Sequence, residues 1–384
     1  MRNLEQLLQD ESVRRYEFPV CEQKVFLAHA GVSPLPRCVA EAMQRYLDTA
    51  SRGEQENDTS DTMIHETRQL AAELIGAHAE EIAFVGSTSM GLSMVATGLQ
   101  WKPGDNLVCH RDDYPANVYS WLDLRRLGVE VRCVEPQRYG RVTIEDLEPL
   151  MDDRTRLVAL ASAHFVSGWR LDVDGIGRFL RQRGVLFCLD GIQTFGALRT
   201  SMRHVDFAAA DAHKWLLGPL GVGILYVRRE RFEELRPALV GWRNAICPDY
   251  VAQDKLTFWP DARRYEPGSL NLVGIVGLRA ALVMLQSFSH EAVEARVLKL
   301  AKLMIDKAQE RRYEILGPKC EDSEVSGIVS LASSIRDVAD VYQTMERAGL
   351  VTSLRRRRDG ARFLRVSAHA YNREDEIERV LQHL

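Results

Sequence analysis

Short, nearly unbroken apolar runs punctuate the first two thirds of the chain: "EIAFV", "NLVCH", "VEVRCV", "RLVALAS", "VLFCLD", "DFAAAD" and "VGILYV", with helical patterns between them. A strand exposed on one face alternates apolar and polar residues, whereas a strand covered on both faces reads as a continuous run. The pattern therefore predicts an α/β unit over 21–262, a mostly parallel seven-stranded sheet clad in helices. After "RRYEPGSLNLVG" the rhythm changes. Helices are expected over 275–288 and 291–311, then strands in "RYEIL" and "GIVSLA" and a helix in "RDVADVYQTMERAG". A strand in "RFLRVSA" and a last helix N-capped by Asn372 complete a smaller α+β domain over 263–384. Residues 1–20 form a polar amphipathic segment expected to pack on that small domain. With no repeat, low-complexity tract or long linker, the parts should pack together.

Composition narrows the partners more than the chemistry. The 384 residues carry a formal charge of −4, so neither nucleic acid nor an anionic membrane is expected. No apolar run approaches the roughly eighteen residues of a membrane span, and the N-terminus lacks a signal peptide's apolar stretch. A cytoplasmic protein with a small-molecule site is the expectation. Seven cysteines (Cys21, Cys38, Cys109, Cys133, Cys188, Cys247 and Cys320) are scattered without a CxxC pair. That arrangement speaks against a disulfide framework or a cysteine zinc site, and predicts free thiols, most of them in the core.

The chemically costly residue is Lys214, set in "DAHKWLLGP" directly after the run "VDFAAAD". Ligands collect at the C-terminal ends of strands in open α/β sheets. An amine in apolar surroundings has its charged form disfavoured and becomes a nucleophile toward carbonyls. A snorkelling stem packed on Trp215 would be the ordinary alternative. Asp190, ending the run in "VLFCLDGIQTFG", tilts the balance, because a carboxylate there needs a cationic partner or a cap to fill. A lysine that forms a Schiff base and an acid that holds a pyridinium nitrogen are together the apparatus of pyridoxal phosphate chemistry. In "FVGSTSMGLSMVATGL", Ser87, Thr88 and Ser89 open a helix, where hydroxyls and free N–H groups suit a phosphate. Leu92 stands where a Walker lysine would be, and "GPLGVG" precedes a strand, so triphosphate and nicotinamide sites are disfavoured.

"LDGIQTFG" and "VDFAAADAHKWLLGPLGVGILYVR", with "STSMG" upstream and "RRYEPGSLN" downstream, resemble the class V aminotransferase family of pyridoxal phosphate enzymes. That family includes cysteine desulfurases, selenocysteine lyases and isopenicillin N epimerase-like proteins. The resemblance implies fold-type I, pyridoxal 5′-phosphate, an amino acid or related amine as substrate, and a homodimer with shared active sites. It implies that Lys214 carries the Schiff base, Asp190 holds the ring nitrogen and Gln193 the phenolic oxygen. Ser87, Thr88 and Ser89, with His213 beside the lysine, would bind phosphate, and Tyr114 would stack on the ring. Gly268 and Ser269 would reach the neighbouring subunit's phosphate, Arg365 would grip the substrate carboxylate, and His29 would line the substrate pocket.

Three departures qualify the match. The stretch "AGLVTSLRRRRDGARFLR" holds no cysteine where desulfurases carry their nucleophile, which disfavours persulfide chemistry and leaves transamination, epimerisation and elimination open. Phe165 stands where desulfurases have asparagine, and Asp211 where they have a small hydroxyl residue. An added negative charge beside phosphate is unfavourable unless it points away, so Asp211 is left out of the expected site. Arg355 to Arg358 reads as a solvated turn. A non-catalytic scaffold of the same fold is the rival, and leaves the joint presence of Lys214, Asp190 and Gln193 unexplained.

Overall fold

The structure is a computed structural model that describes residues 3–56, 60–319 and 323–384, so Cys320 lies outside the described residues. The strands are β1 (Val25–Phe26), β2 (Ile82–Val85), β3 (Asn106–His110), β4 (Glu130–Val134), β5 (Thr155–Ala161), β6 (Leu186–Asp190), β7 (Phe207–Asp211) and β8 (Gly223–Val227). There follow β9 (Glu314–Ile315), β10 (Val329–Ala332), β11 (Leu350–Val351), β12 (Ser353–Arg356) and β13 (Arg362–Val366). Each of the seven apolar runs is a strand of one sheet, ordered β2-β8-β7-β6-β5-β3-β4. Strands β3 to β7 run parallel, and β8 is antiparallel to both its neighbours.

The unbroken apolar character of these runs has a direct structural cause. In β5, β6 and β7, Val158, Leu160, Phe187, Leu189, Ala208 and Ala210 enter one core. The intervening Leu157, Ala159, Leu186, Cys188, Phe207 and Ala209 enter another. Helices cover both faces, so both sets of alternating positions must be apolar. Parallel pairing also puts the ends of β6 and β7 at one edge, so Asp190 and the turn carrying Lys214 arrive side by side.

The smaller unit is the antiparallel sheet β12-β13-β10-β9 with helices His290–Glu310, Val338–Arg347 and Glu374–Leu381. Its core holds Leu300, Met304, Leu331, Val341, Leu364 and Val380. The unit does not begin after Ala262. Helix Leu272–Phe288 packs on helices Arg37–Ala50 and Asp61–Ile75, and its Ile275, Leu278 and Leu282 join the large core. Ser289, at φ 63°, breaks the chain between this helix and the next, which lie 82° apart. Conversely, β1 pairs in parallel with β11, and Val25 and Leu27 sit in the small core.

The first residues bridge units rather than serve one. Leu4, Leu7 and Phe18 join the large core, while Phe18 stacks on Tyr371 at 3.9 Å and Arg14 pairs with Glu376 at 2.9 Å. The last helix is capped by Arg373, one residue later than expected, because the Asn372 side-chain oxygen is taken by the His369 N–H at 2.8 Å. All six described cysteines are free, yet only Cys109 and Cys188 are buried, so most of these thiols lie outside the deep core. Among the described residues no single helix is long and apolar enough to cross a membrane.

Candidate active site

The parallel sheet delivers the reactive amine and its acid to one edge. Three residues beyond β7, Lys214 lies in a turn closed by Leu217 N–H to the Lys214 carbonyl and by Gly218 N–H to the Ala212 carbonyl. Ser33 pins the same turn from the N-terminal side, with Oγ donating to the Lys214 carbonyl at 2.7 Å and N–H to the His213 carbonyl. Lys214 is 7% exposed, and burial pulls its amine down to about 8 while the Asp190 charge partly opposes that shift. Its Nζ lies 5.2 Å from the centre of the half-exposed Tyr114 ring.

Asp190 is 2% exposed, and burial pushes its carboxyl up to about 6. Its Oδ1 accepts the Ile192 N–H at 3.0 Å, while Oδ2 accepts no hydrogen bond among the described residues. Gln193 links the strand-end loop to its surroundings. Its Oε1 accepts the Trp215 indole N–H at 3.0 Å and its Nε2 donates to the Ala30 carbonyl at 3.3 Å, which leaves one amide hydrogen uncommitted. Asp113, unrecognised in the sequence, is buried near Asp190, and burial followed by the Asp190 charge pushes it up to about 7.

Helix Thr88–Gly98 begins where β2 ends, with Ser87 Oγ accepting the Met90 N–H. Asp211 does not point away from this loop. Its Oδ1 accepts the Thr88 N–H at 3.0 Å, and its own N–H donates to Thr88 Oγ1 at 2.9 Å. Thr88 is thus engaged by Asp211, whereas Ser89 is exposed and open. Burial raises the Asp211 carboxyl to about 7, and its Oδ2 lies 3.4 Å from His213 Nδ1, a buried nitrogen without a hydrogen bond. Burial also lowers His213 to about 4.

Arg365 comes from β13 and is 1% exposed. Its Nη1 donates to the Phe165 carbonyl at 2.6 Å, while Nε and Nη2 are buried without partners. Phe165 packs edge-on against Tyr114, so the residue that replaces asparagine contributes a backbone acceptor and a ring. The arginine run splits up: Arg356 and Arg358 are exposed, Arg357 pairs with Asp359, Arg358 with Asp112, and Arg355 turns inward.

His29 and the pair Gly268 and Ser269 fall elsewhere. His29 is fully buried with both ring nitrogens engaged, Nδ1 with the Ser367 carbonyl and Nε2 with the Tyr371 hydroxyl, each at 2.9 Å. The next two residues meet the site instead, Ala30 through Gln193 and Gly31 beside the Arg365 guanidinium. Gly268 and Ser269 do not join the groups around Lys214; Ser269 lines a separate cleft of about 890 Å³ with Arg68, Trp242 and Tyr250. No group of three His, Cys, Asp or Glu side chains among the described residues could hold a metal ion.

A family model described as aminotransferase class-V matches residues 25–380. The chain belongs to the class V aminotransferase family. Members of that family use pyridoxal 5′-phosphate, and the site fits it: among the described residues Lys214 Nζ has no hydrogen bond or ion pair, Asp190 Oδ2 is open, and Ser89 stands free at a helix start. Curated relatives include the probable cysteine desulfurase of Methanothermobacter thermautotrophicus, 29% identical over 97% of this chain and 96% of that one. That of Pyrococcus abyssi is 28% identical with the same two coverages, 97% and 96%. Among solved structures, the apo cysteine desulfurase from Thermococcus onnurineus NA1 superposes with a TM-score of 0.88 at 25% identity, covering 100% of this chain and 97% of that one. A C-DES mutant with glycine covalently linked to its PLP cofactor shares the fold at a TM-score of 0.86 and 22% identity, covering 96% and 98%.

Proposed function

We propose that this class V enzyme labilises the Cα–H bond of an α-amino acid whose carboxylate is held by Arg365. The observation that carries this reading is the pair of buried, unpartnered donors Nε and Nη2 on Arg365, in the same site as a buried amine. Those two donors form one edge of the guanidinium fork and match the two oxygens of a carboxylate. When bound, pyridoxal phosphate supplies a carbonyl that condenses with an amine and a ring that withdraws electrons from Cα.

The chain's own residues do the rest. Asp190, whose Oδ2 is open, would hold the ring nitrogen and favour its protonated form. Lys214, pulled down to about 8 by burial, has a neutral fraction near pH 7 and takes the proton from Cα. Tyr114, whose ring centre lies 5.2 Å from Nζ, would offer the cofactor ring an aromatic face.

The fate of the electrons left at Cα separates transamination, epimerisation and elimination. The relatives named as probable cysteine desulfurases favour a lyase that releases a sulfur-bearing group from Cβ. The β12–β13 connection carries no thiol to receive that sulfur, which speaks against a protein-bound persulfide at this place.

The test is exchange of the Cα hydrogen for deuterium when holoprotein and single L-amino acids are incubated in deuterated buffer and followed by proton NMR. At least one amino acid loses its Cα signal with the wild type, none does with Lys214→Ala, and Arg365→Lys raises the half-saturating concentration. Absence of exchange across all proteinogenic amino acids rejects the reading.

A further inference from the structure

Arg365 has a neighbour that carbon-acid chemistry alone does not require. Arg355, on β12, has its Nε buried and unpartnered, like Nε and Nη2 of Arg365. The two guanidinium groups converge: a Cβ built on Gly31 would lie 3.6 Å from Arg355 Nη2 and 3.7 Å from Arg365 Nη2. Beyond the effect of burial, the Arg355 charge disfavours that of Arg365, both disfavour that of Lys214, and both feel Tyr114, so the four groups share one space.

No carboxylate within 4 Å pairs with either arginine among the described residues, although most other arginines of the chain have one. Facing Arg355 are Tyr114, from the loop after β3, and Tyr342, from helix Val338–Arg347. The acid nearest Tyr342 on that helix, Glu346, is bonded to the Tyr342 hydroxyl at 2.7 Å. Two guanidinium groups held together without a paired carboxylate are costly, and a ligand bringing two negative charges would offset that cost.

One carboxylate does not use both arginines. Arg365 gives Nη1 to Phe165 and retains a single fork edge, which two carboxylate oxygens saturate. Arg355 then keeps its own unpartnered donors. We propose that Arg355 is a second anion-binding residue, and that the substrate is an α-amino acid bearing a second carboxylate a short distance from Cα. This deepens the function proposed above and rests on Arg365 holding the first carboxylate.

The probes are succinate, a dicarboxylate, and butyrate, its singly charged match in length, titrated calorimetrically into holoprotein. The visible cofactor band is recorded on the same samples. The wild type binds succinate at least about tenfold more tightly than butyrate, a difference of about 1.4 kcal/mol. Arg355→Gln abolishes that preference with butyrate affinity changed less than about twofold, Arg355→Lys retains part of it, and Arg365→Gln weakens both ligands. Equal affinity of the wild type for both acids, or equal weakening of both by Arg355→Gln, overturns the inference, because the two arginines would then share one carboxylate. A coloured protein without the preference rejects this inference alone. A colourless protein that still prefers succinate supports the anion pair and rejects the cofactor reading.

Discussion

Burial sets the protonation of the acids and bases around Lys214, and Asp211 shows the consequence most directly. Its carboxyl, raised to about 7, is neutral below that pH and charged above it, and it sits against the helix start where Ser89 would meet a phosphate. Below about pH 6 the wild type and Asp211→Asn should retain pyridoxal phosphate equally. At pH 8.5 the variant should bind it about tenfold more tightly, because the wild type then sets a carboxylate beside the phosphate dianion. Equilibrium dialysis at the two pH values checks this, and equal affinities at pH 8.5 contradict it. Lys214 and Asp190 are legible in the sequence because a lysine set among apolar residues just past one strand and an acid ending another complement each other. Asp211 is not, because sequence does not say which way a strand-end side chain turns. Arg355 is hidden in a run of four arginines, where strand alternation leaves no trace when every position carries the same residue. His29 reads as a pocket residue, yet its two nitrogens are satisfied inside the core.

At the scale of elements, the strands are readable because burial on both faces writes itself into unbroken apolar runs, while β4, at the sheet edge, exposes Glu130 and reads as a mixed run. The allocation of helix Leu272–Phe288 is not, since neighbours in sequence need not share a core. The contact that ties that region to the sheet is also invisible in one dimension. Glu266, in the loop before Gly268 and Ser269, meets Arg68 of helix Asp61–Ile75 through two hydrogen bonds of 2.6 and 2.7 Å, and also accepts the Phe84 N–H of β2. Both side chains are nearly inaccessible to solvent. Removing one partner strands a buried charge, so Glu266→Ala should lower stability by about 3–5 kcal/mol in urea denaturation of the apoprotein. The double variant Arg68→Met with Glu266→Leu should recover much of that loss. A single variant within about 1 kcal/mol of wild type would mean that the pair is not maintained.

At the scale of the whole molecule, the cleft lined by Ser269 opens beside Trp242 and Tyr250, and Tyr250 is 79% exposed. Exposed aromatic side chains beside a cleft lined with charged residues suit association, and a second copy of the chain would cover them while bringing Gly268 and Ser269 to its neighbour's phosphate loop. Sedimentation should give twice the chain mass for the wild type and a shift toward the monomer for Trp242→Glu with Tyr250→Glu, with loss of bound cofactor. A monomeric wild type that retains the cofactor contradicts shared sites. The central claim lies beneath all of these: Lys214 is the residue that holds pyridoxal phosphate. Its most direct test is the ultraviolet–visible spectrum of protein incubated with the cofactor and desalted, beside Lys214→Ala. The expected result is a visible band in the wild type that borohydride removes and the variant lacks; a colourless wild type, or a variant with the same borohydride-sensitive band, would contradict it.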